Sequence, residues 1–181
     1  AETLIPLLGE DQDKAIEIAT DALHQFPEQH ESAWLDGMRK KLGFASRQAG
    51  DLSLVNELLS WMEQSEADFT NTFADLSPTA LSEEKSSDAA FANWHQSWLV
   101  RLESEGQSAG AAIELMTQAN PAVIPRNHRV EEALMAAEEG NLDPFQKLLT
   151  ALSSPFSCDG TTAAYRETPP PGTCYRTFCG T

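Results

Sequence analysis

Apolar residues recur along most of this chain at spacings of three and four, the period of an α-helix rather than the alternation of a strand. Between Asp11 and Phe26, the positions Ala15, Ala19, Ala22, Leu23 and Phe26 share one helical face. Pro27 is expected to stop that helix and to sit in the first turn of the next. The second helix carries Trp34, Leu35, Met38 and Leu42 and stops at Gly43. A third opens at Gly50-Asp51, with Asp51 as its N-cap and Leu52, Val55, Leu58, Leu59 and Met62 as its stripe. A short fourth holds Phe69, Thr72, Phe73 and Leu76 and ends at Ser77-Pro78.

The polar stretch from Ser82 to Asp88 reads as a loop. Phe91, Trp94, His95, Trp98, Leu99 and Leu102 then define an amphipathic helix closed by Gly106. A weaker helix runs from Ser108 to Ala119, with Ala112, Ile113 and Met116 inward. After the break at Asn120-Pro121, Asn127 caps a helix bearing Val130, Ala133, Leu134 and Ala137. Asp143-Pro144 starts a last helix, which buries Phe145, Leu148, Leu149 and Leu152. These patterns predict an all-α fold: a helical domain over 1–152 and an irregular tail over 153–181. The tail holds Pro169-Pro170-Pro171-Gly172 and cannot form a long regular element. It is either disordered or laid across another surface.

Composition narrows the functional classes. The chain of 181 residues carries 12 Lys and Arg against 28 Asp and Glu, a formal net charge of −16. Nucleic acid is a polyanion gripped mainly by Lys and Arg, so it is excluded as a partner. The basic run Arg39-Lys40-Lys41 with Arg47 reads as cations offsetting a helix dipole. No apolar run approaches the ~18–20 residues of a membrane span, so no membrane association is expected. No signal peptide is visible, and a cytoplasmic location is expected. The missing initiator Met fits a piece of a longer chain and equally a processed N-terminus.

Candidate chemistry is sparse. Neither G-x-G-x-x-G nor G-x-x-x-x-G-K-[ST] is present, and the kinase H-R-D and D-F-G elements are absent. Asp68-Phe69-Thr70 shares only its first two residues with the latter. The four His are scattered; His95, between two Trp, is expected to be partly buried with one hydrogen bond rather than to bind metal. Glu131-Glu132 and Glu138-Glu139 read as solvated helix faces. The three Cys, Cys158, Cys174 and Cys179, all lie in the tail, as idle thiols or in a redox role.

Three stretches resemble the selenoprotein O family of protein adenylyltransferases. One is Asp68-Phe69-Thr70-Asn71-Thr72-Phe73, preceded by Met38-Arg39-Lys40-Lys41-Leu42-Gly43-Phe44. Another runs from Asn120-Pro121 through Pro125-Arg126-Asn127-His128 to Asp143-Pro144-Phe145. The last is Tyr175-Arg176-Thr177-Phe178-Cys179-Gly180-Thr181. Their order matches that family's C-terminal region. The resemblance implies a kinase-like parent that transfers AMP from ATP to Ser, Thr or Tyr hydroxyls of protein substrates, assisted by Mg or Mn. Its nucleotide and metal residues would lie upstream, so no catalytic, cofactor-binding or metal residue is carried over to this chain. What does carry over is a redox-active residue third from the C-terminus, here Cys179. In the family's selenoprotein members its disulfide partner lies three residues earlier, where this chain has Arg176; Cys174 is the other redox candidate.

Two roles follow from these expectations. The chain packs on its own upstream kinase-like domain and presents the Cys179 tail. Alternatively, it is a non-catalytic partner- or substrate-docking domain, for which the helix Phe91–Leu102 would supply the surface. Burial of both Trp94 and Trp98, the favoured expectation, would remove that surface.

Overall fold

The computed structural model describes residues 2–79, 82–157, 159–160 and 162–170. Among the described residues the regular structure is helical throughout. After a 3-10 turn at Glu2–Leu4 come α1 (Ile5–Leu8), α2 (Gln12–Lys41), α3 (Asp51–Gln64), α4 (Phe69–Ala74) and α5 (Glu83–Ser87). They are followed by α6 (Ala89–Glu103), α7 (Ala109–Ala119), α8 (Asn127–Glu138), α9 (Asp143–Leu152) and a second 3-10 turn at Ala163–Tyr165. No helix of the described residues is long and apolar enough to cross a membrane.

The largest departure from the sequence reading is α2, which passes through Pro27 without stopping. Proline lacks an N–H and crowds the carbonyl four residues earlier, which usually breaks a helix. Here residues 20–33 are all exposed, so water can reach the Leu23 carbonyl. The helix is held at both ends instead. Asp11 caps it, accepting from the Asp13 and Lys14 amides at 3.1 and 3.3 Å. Its far end, with Met38 and Leu42, enters the main core. The face expected to be buried near its start is mostly bare: Ala15 is buried, but Ala22, Leu23 and Phe26 are exposed.

The main core lies where the end of α2 meets α3, α4, α6 and α7. Trp94 and Trp98 sit at its centre, both buried, their rings stacked at 5.9 Å. Each indole is satisfied: Trp94 Nε1 donates to the Leu54 carbonyl at 2.8 Å and Trp98 Nε1 to the Leu42 carbonyl at 2.9 Å. The second bond takes up a carbonyl at the α2 terminus that has no intrahelical partner. Gly43 then turns the chain with φ +76, and an added Cβ would lie 3.0 Å from both the Ala112 carbonyl oxygen and Met116 Cγ. A smaller cluster of Ala122, Val123 and Ala151 holds the α9 end beside Tyr165.

Other local expectations shift. The segment read as a loop contains α5, capped by the Ser82 hydroxyl, and Asp88 caps α6. On α3, Leu54 is buried while Leu52 is exposed. In the α8–α9 hairpin, Ala133 and Leu148 face inward, whereas Leu134, Phe145 and Leu149 are exposed. Two helices packed mainly on each other cover one flank of each and leave the rest bare.

Candidate functional site

Stretches 38–44, 68–73 and 120–128, far apart in sequence, meet at one place. Lys41, at the end of α2, donates through Nζ to the Ala119 carbonyl at 3.1 Å and to Asn120 Oδ1 at 3.4 Å. Asn120 Nδ2 returns a bond to the Lys41 carbonyl at 2.8 Å. The same ammonium lies 5.7 and 5.5 Å from the ring centroids of Phe69 and Phe73, in cation–π range. Burial pulls the Lys41 pKa below its ordinary value, because desolvation penalises the charged form.

Asp68 joins the second and third stretches. Its carboxylate caps α4 by accepting from the Asn71 amide at 2.8 Å. It also takes both ends of the Arg126 guanidinium, each at 2.9 Å. This is the fork geometry that suits arginine and carboxylate. The Arg126 bond, with the Asn71 amide, holds the Asp68 carboxyl below the usual range against the opposing effect of burial. The cap position of α8 is Arg126 rather than Asn127, and no side chain caps that helix; the Arg126 side chain turns to Asp68 instead.

This junction also anchors the segment after α9. Asn71 Nδ2 donates to the Arg166 carbonyl at 3.0 Å, and Arg166 Nη2 reaches Asp75 at 2.5 Å. Arg129 Nη2 donates to the Ala164 carbonyl at 3.2 Å and to Glu167 at 2.7 Å. Residues 162–167 are thus laid across α4 and α8 rather than left free. Cys158, Cys174 and Cys179, including both redox candidates, lie outside the described residues.

A second charged cluster braces the core. Asp51, expected to cap α3, is instead its first helical residue and fully buried. It accepts from Arg39 Nε at 2.6 Å, Arg101 Nε at 2.7 Å and the Gln48 amide at 2.9 Å. Burial alone would raise its pKa, but the bonds from Arg101, Gln48 and Arg39 outweigh that and lower it. Glu105 pairs with Arg101 at 2.9 Å and accepts from the Ala45 and Ser46 amides, fixing the loop after α2. Arg39 and Arg47 both reach Asp36. Arg39, Lys41 and Arg47 are therefore wired into specific contacts, beyond the dipole role read from sequence. His95 is buried, with Nε2 3.2 Å from the Ser77 carbonyl, as expected for a single structural bond.

The described residues offer no ready-made cage for a metal ion. Among them no group of three or more His, Cys, Asp or Glu is placed to hold a metal ion. The buried Asp51 and half-buried Asp68 carboxylates are already engaged by arginines.

The family model for protein adenylyltransferase SelO matches residues 4–153, most of the chain. The chain belongs to the protein adenylyltransferase SelO family. Its relatives include proteins named protein nucleotidyltransferase YdiU from Geobacillus kaustophilus and Alkaliphilus metalliredigens, each 46% identical over 184 residues. One from Syntrophotalea carbinolica is 44% identical over 184 residues. All of this chain is covered in each match, but it spans only 38%, 38% and 37% of those three relatives. The SelO match takes in all the residues of the Lys41–Asn120 and Asp68–Arg126 junctions.

Sequence reasoning found the stretches that meet here but not the bonds that join them. A lone Arg126 after Pro125 carries no periodic signal, and its partner Asp68 lies 58 residues away. Asp51 gave a signal that was misread, because an acid at a helix start suits a cap as well as an ion pair.

Proposed function

We propose that this chain is the C-terminal, non-catalytic body of a longer SelO-family protein that transfers AMP from ATP to Ser, Thr or Tyr hydroxyls of protein substrates. The observation that carries this reading is the match over residues 4–153 together with a span of only 38% of the relatives' length. ATP and its divalent metal would be held by the remaining part, a kinase-like domain on which this chain packs. The Lys41–Asn120 and Asp68–Arg126 junctions have a structural role in this account, tying the helices into one body. Beside them, Asn71 and Arg129 hold residues 162–167, from which the tail continues to Cys174 and Cys179.

The regulatory part of the proposal is a disulfide formed by Cys179. Two thiols would each lose a proton, and the pair would give two electrons to an oxidant such as hydrogen peroxide. A tail tied to the kinase-like domain would shift its population between active and inactive arrangements. The test is AMP transfer by the full-length protein, followed with ATP labelled at the α-phosphate, before and after peroxide and then dithiothreitol. Transfer should respond to oxidant in the unmodified protein and become insensitive in Cys179→Ser. Equal redox sensitivity in the variant would remove Cys179 from the account.

The docking alternative loses the surface first assigned to it. Trp94 and Trp98 are 4% and 0% exposed, so the helix Phe91–Leu102 turns its aromatic face inward.

A further inference from the structure

The unpartnered apolar surface lies at the other end of the molecule. Every residue from 20 to 33 of α2 is exposed, nearly four turns of helix standing clear of the core. Isolated helices of this length are marginal in water and normally rely on packing of an apolar face. This one has such a face. Ile16, Ala19, Ala22, Leu23 and Phe26 fall within roughly a third of the helical circumference at 100° per residue. Ile16 is 41% exposed, Leu23 59% and Phe26 61%. Glu17, Asp21 and Glu28 lie on the opposite side, where they would stay solvated with the face covered. The preceding segment adds Leu4 at 56% and Leu7 at 80% exposure.

Pro27 adds a polar requirement. It cannot donate to the Leu23 carbonyl, so an acceptor opens at the edge of the apolar stripe. A covering surface therefore needs an apolar groove with a hydrogen-bond donor near Pro27.

Two occupants fit a bare helix face: a second copy, or the rest of the longer protein. A second copy would bring another formal −16 alongside the first, which like-charge repulsion disfavours. The relatives, of which this chain spans 38%, have ample further chain to form the groove. We infer that α2, over residues 16–30, is the docking helix for the part of the longer protein that this chain does not span. Its Ile16–Leu23–Phe26 face seats in an apolar groove there, and a donor from that groove takes the Leu23 carbonyl. This rests on the reading that the chain packs on a kinase-like domain, and it names the face that does so.

Hydrogen exchange of the full-length protein and of this chain alone tests the assignment, with Leu23→Glu/Phe26→Glu made in both. Residues 16–30 should exchange at least ~100-fold more slowly in the full-length protein, as for amides shielded by a docked surface. The double variant should restore fast exchange there in the full-length protein. In the chain alone it should leave helicity and Tm unchanged, because both side chains are exposed. Protection that appears elsewhere in the chain but not over 16–30 would overturn this inference and leave the packing reading standing. No added protection anywhere would overturn both. Protection in the chain alone that grows with its concentration would assign the face to a second copy and overturn the inference.

Discussion

Replacing Arg126 with Met removes the guanidinium that ties α4 to the start of α8 while keeping much of the side-chain volume. The Arg126 side chain is 7% exposed and that of Asp68 24%, and both bonds between them measure 2.9 Å. Breaking a fully buried pair costs about 3–5 kcal/mol because a charge is left without its partner. Asp68 is less buried than that and keeps its bond from the Asn71 amide, so water and the cap offset part of the loss. The expected destabilisation is about 2–3 kcal/mol. At ~2–4 °C per kcal/mol for a chain of this size, Tm falls by about 4–12 °C. Asp68→Asn is the matched partner: Asn still caps a helix and still offers an oxygen, so its cost is about 1–2 kcal/mol. The double variant should cost less than the sum by at least ~1 kcal/mol, the coupling expected of residues in direct contact. Thermal unfolding of the four proteins by circular dichroism gives the cycle. Strict additivity, or a Tm change under about 1 °C for Arg126→Met, would refute the reasoning.

Gly43→Ala should destabilise by about 1–3 kcal/mol in urea titration, since φ is +76 and the new methyl would press on the Ala112 carbonyl and Met116; a neutral result would mean that α7 yields there. Trp98→Phe should cost about 2–4 kcal/mol, because it opens a cavity and strands the Leu42 carbonyl; a loss below about 1 kcal/mol would remove the indole bond from the account. Asp51, Asp68 and Glu105 all have folded pKa values below their ordinary 3.8, 3.8 and 4.5. A depressed carboxylate stabilises fully above its unfolded pKa and loses that contribution as pH falls through the folded one. Stability from these groups should therefore stay level from pH 7 to about 5 and fall below about 4. In Asp68→Asn the acid-side fall should be shallower, and an identical slope would contradict the lowered Asp68 value.

The all-α class was readable because apolar spacing carries most of the helical signal, as on α6, where Phe91, Trp94, Trp98 and Leu102 are all buried. What spacing does not encode is which apolar faces find a partner. Leu23 and Phe26 have the same three-residue spacing as Val55 and Leu58, yet only the latter pair is covered. Pro27 misled for a related reason, since a proline breaks a helix at a cost that depends on whether water can reach the freed carbonyl. The stretches of the candidate site were legible through the family resemblance. Their junction was not, because Asp68–Arg126 and Lys41–Asn120 are long-range pairs of single residues, and a sequence read along its length has no term for them.

The most direct measurement is AMP transfer itself, made in parallel on the full-length protein and on residues 1–181 alone, with ATP labelled at either the α- or the γ-phosphate. The account predicts α-label on protein substrates with the full-length protein, no γ-label, and no transfer by residues 1–181. Transfer by residues 1–181 alone, or γ-label in place of α-label, would contradict it.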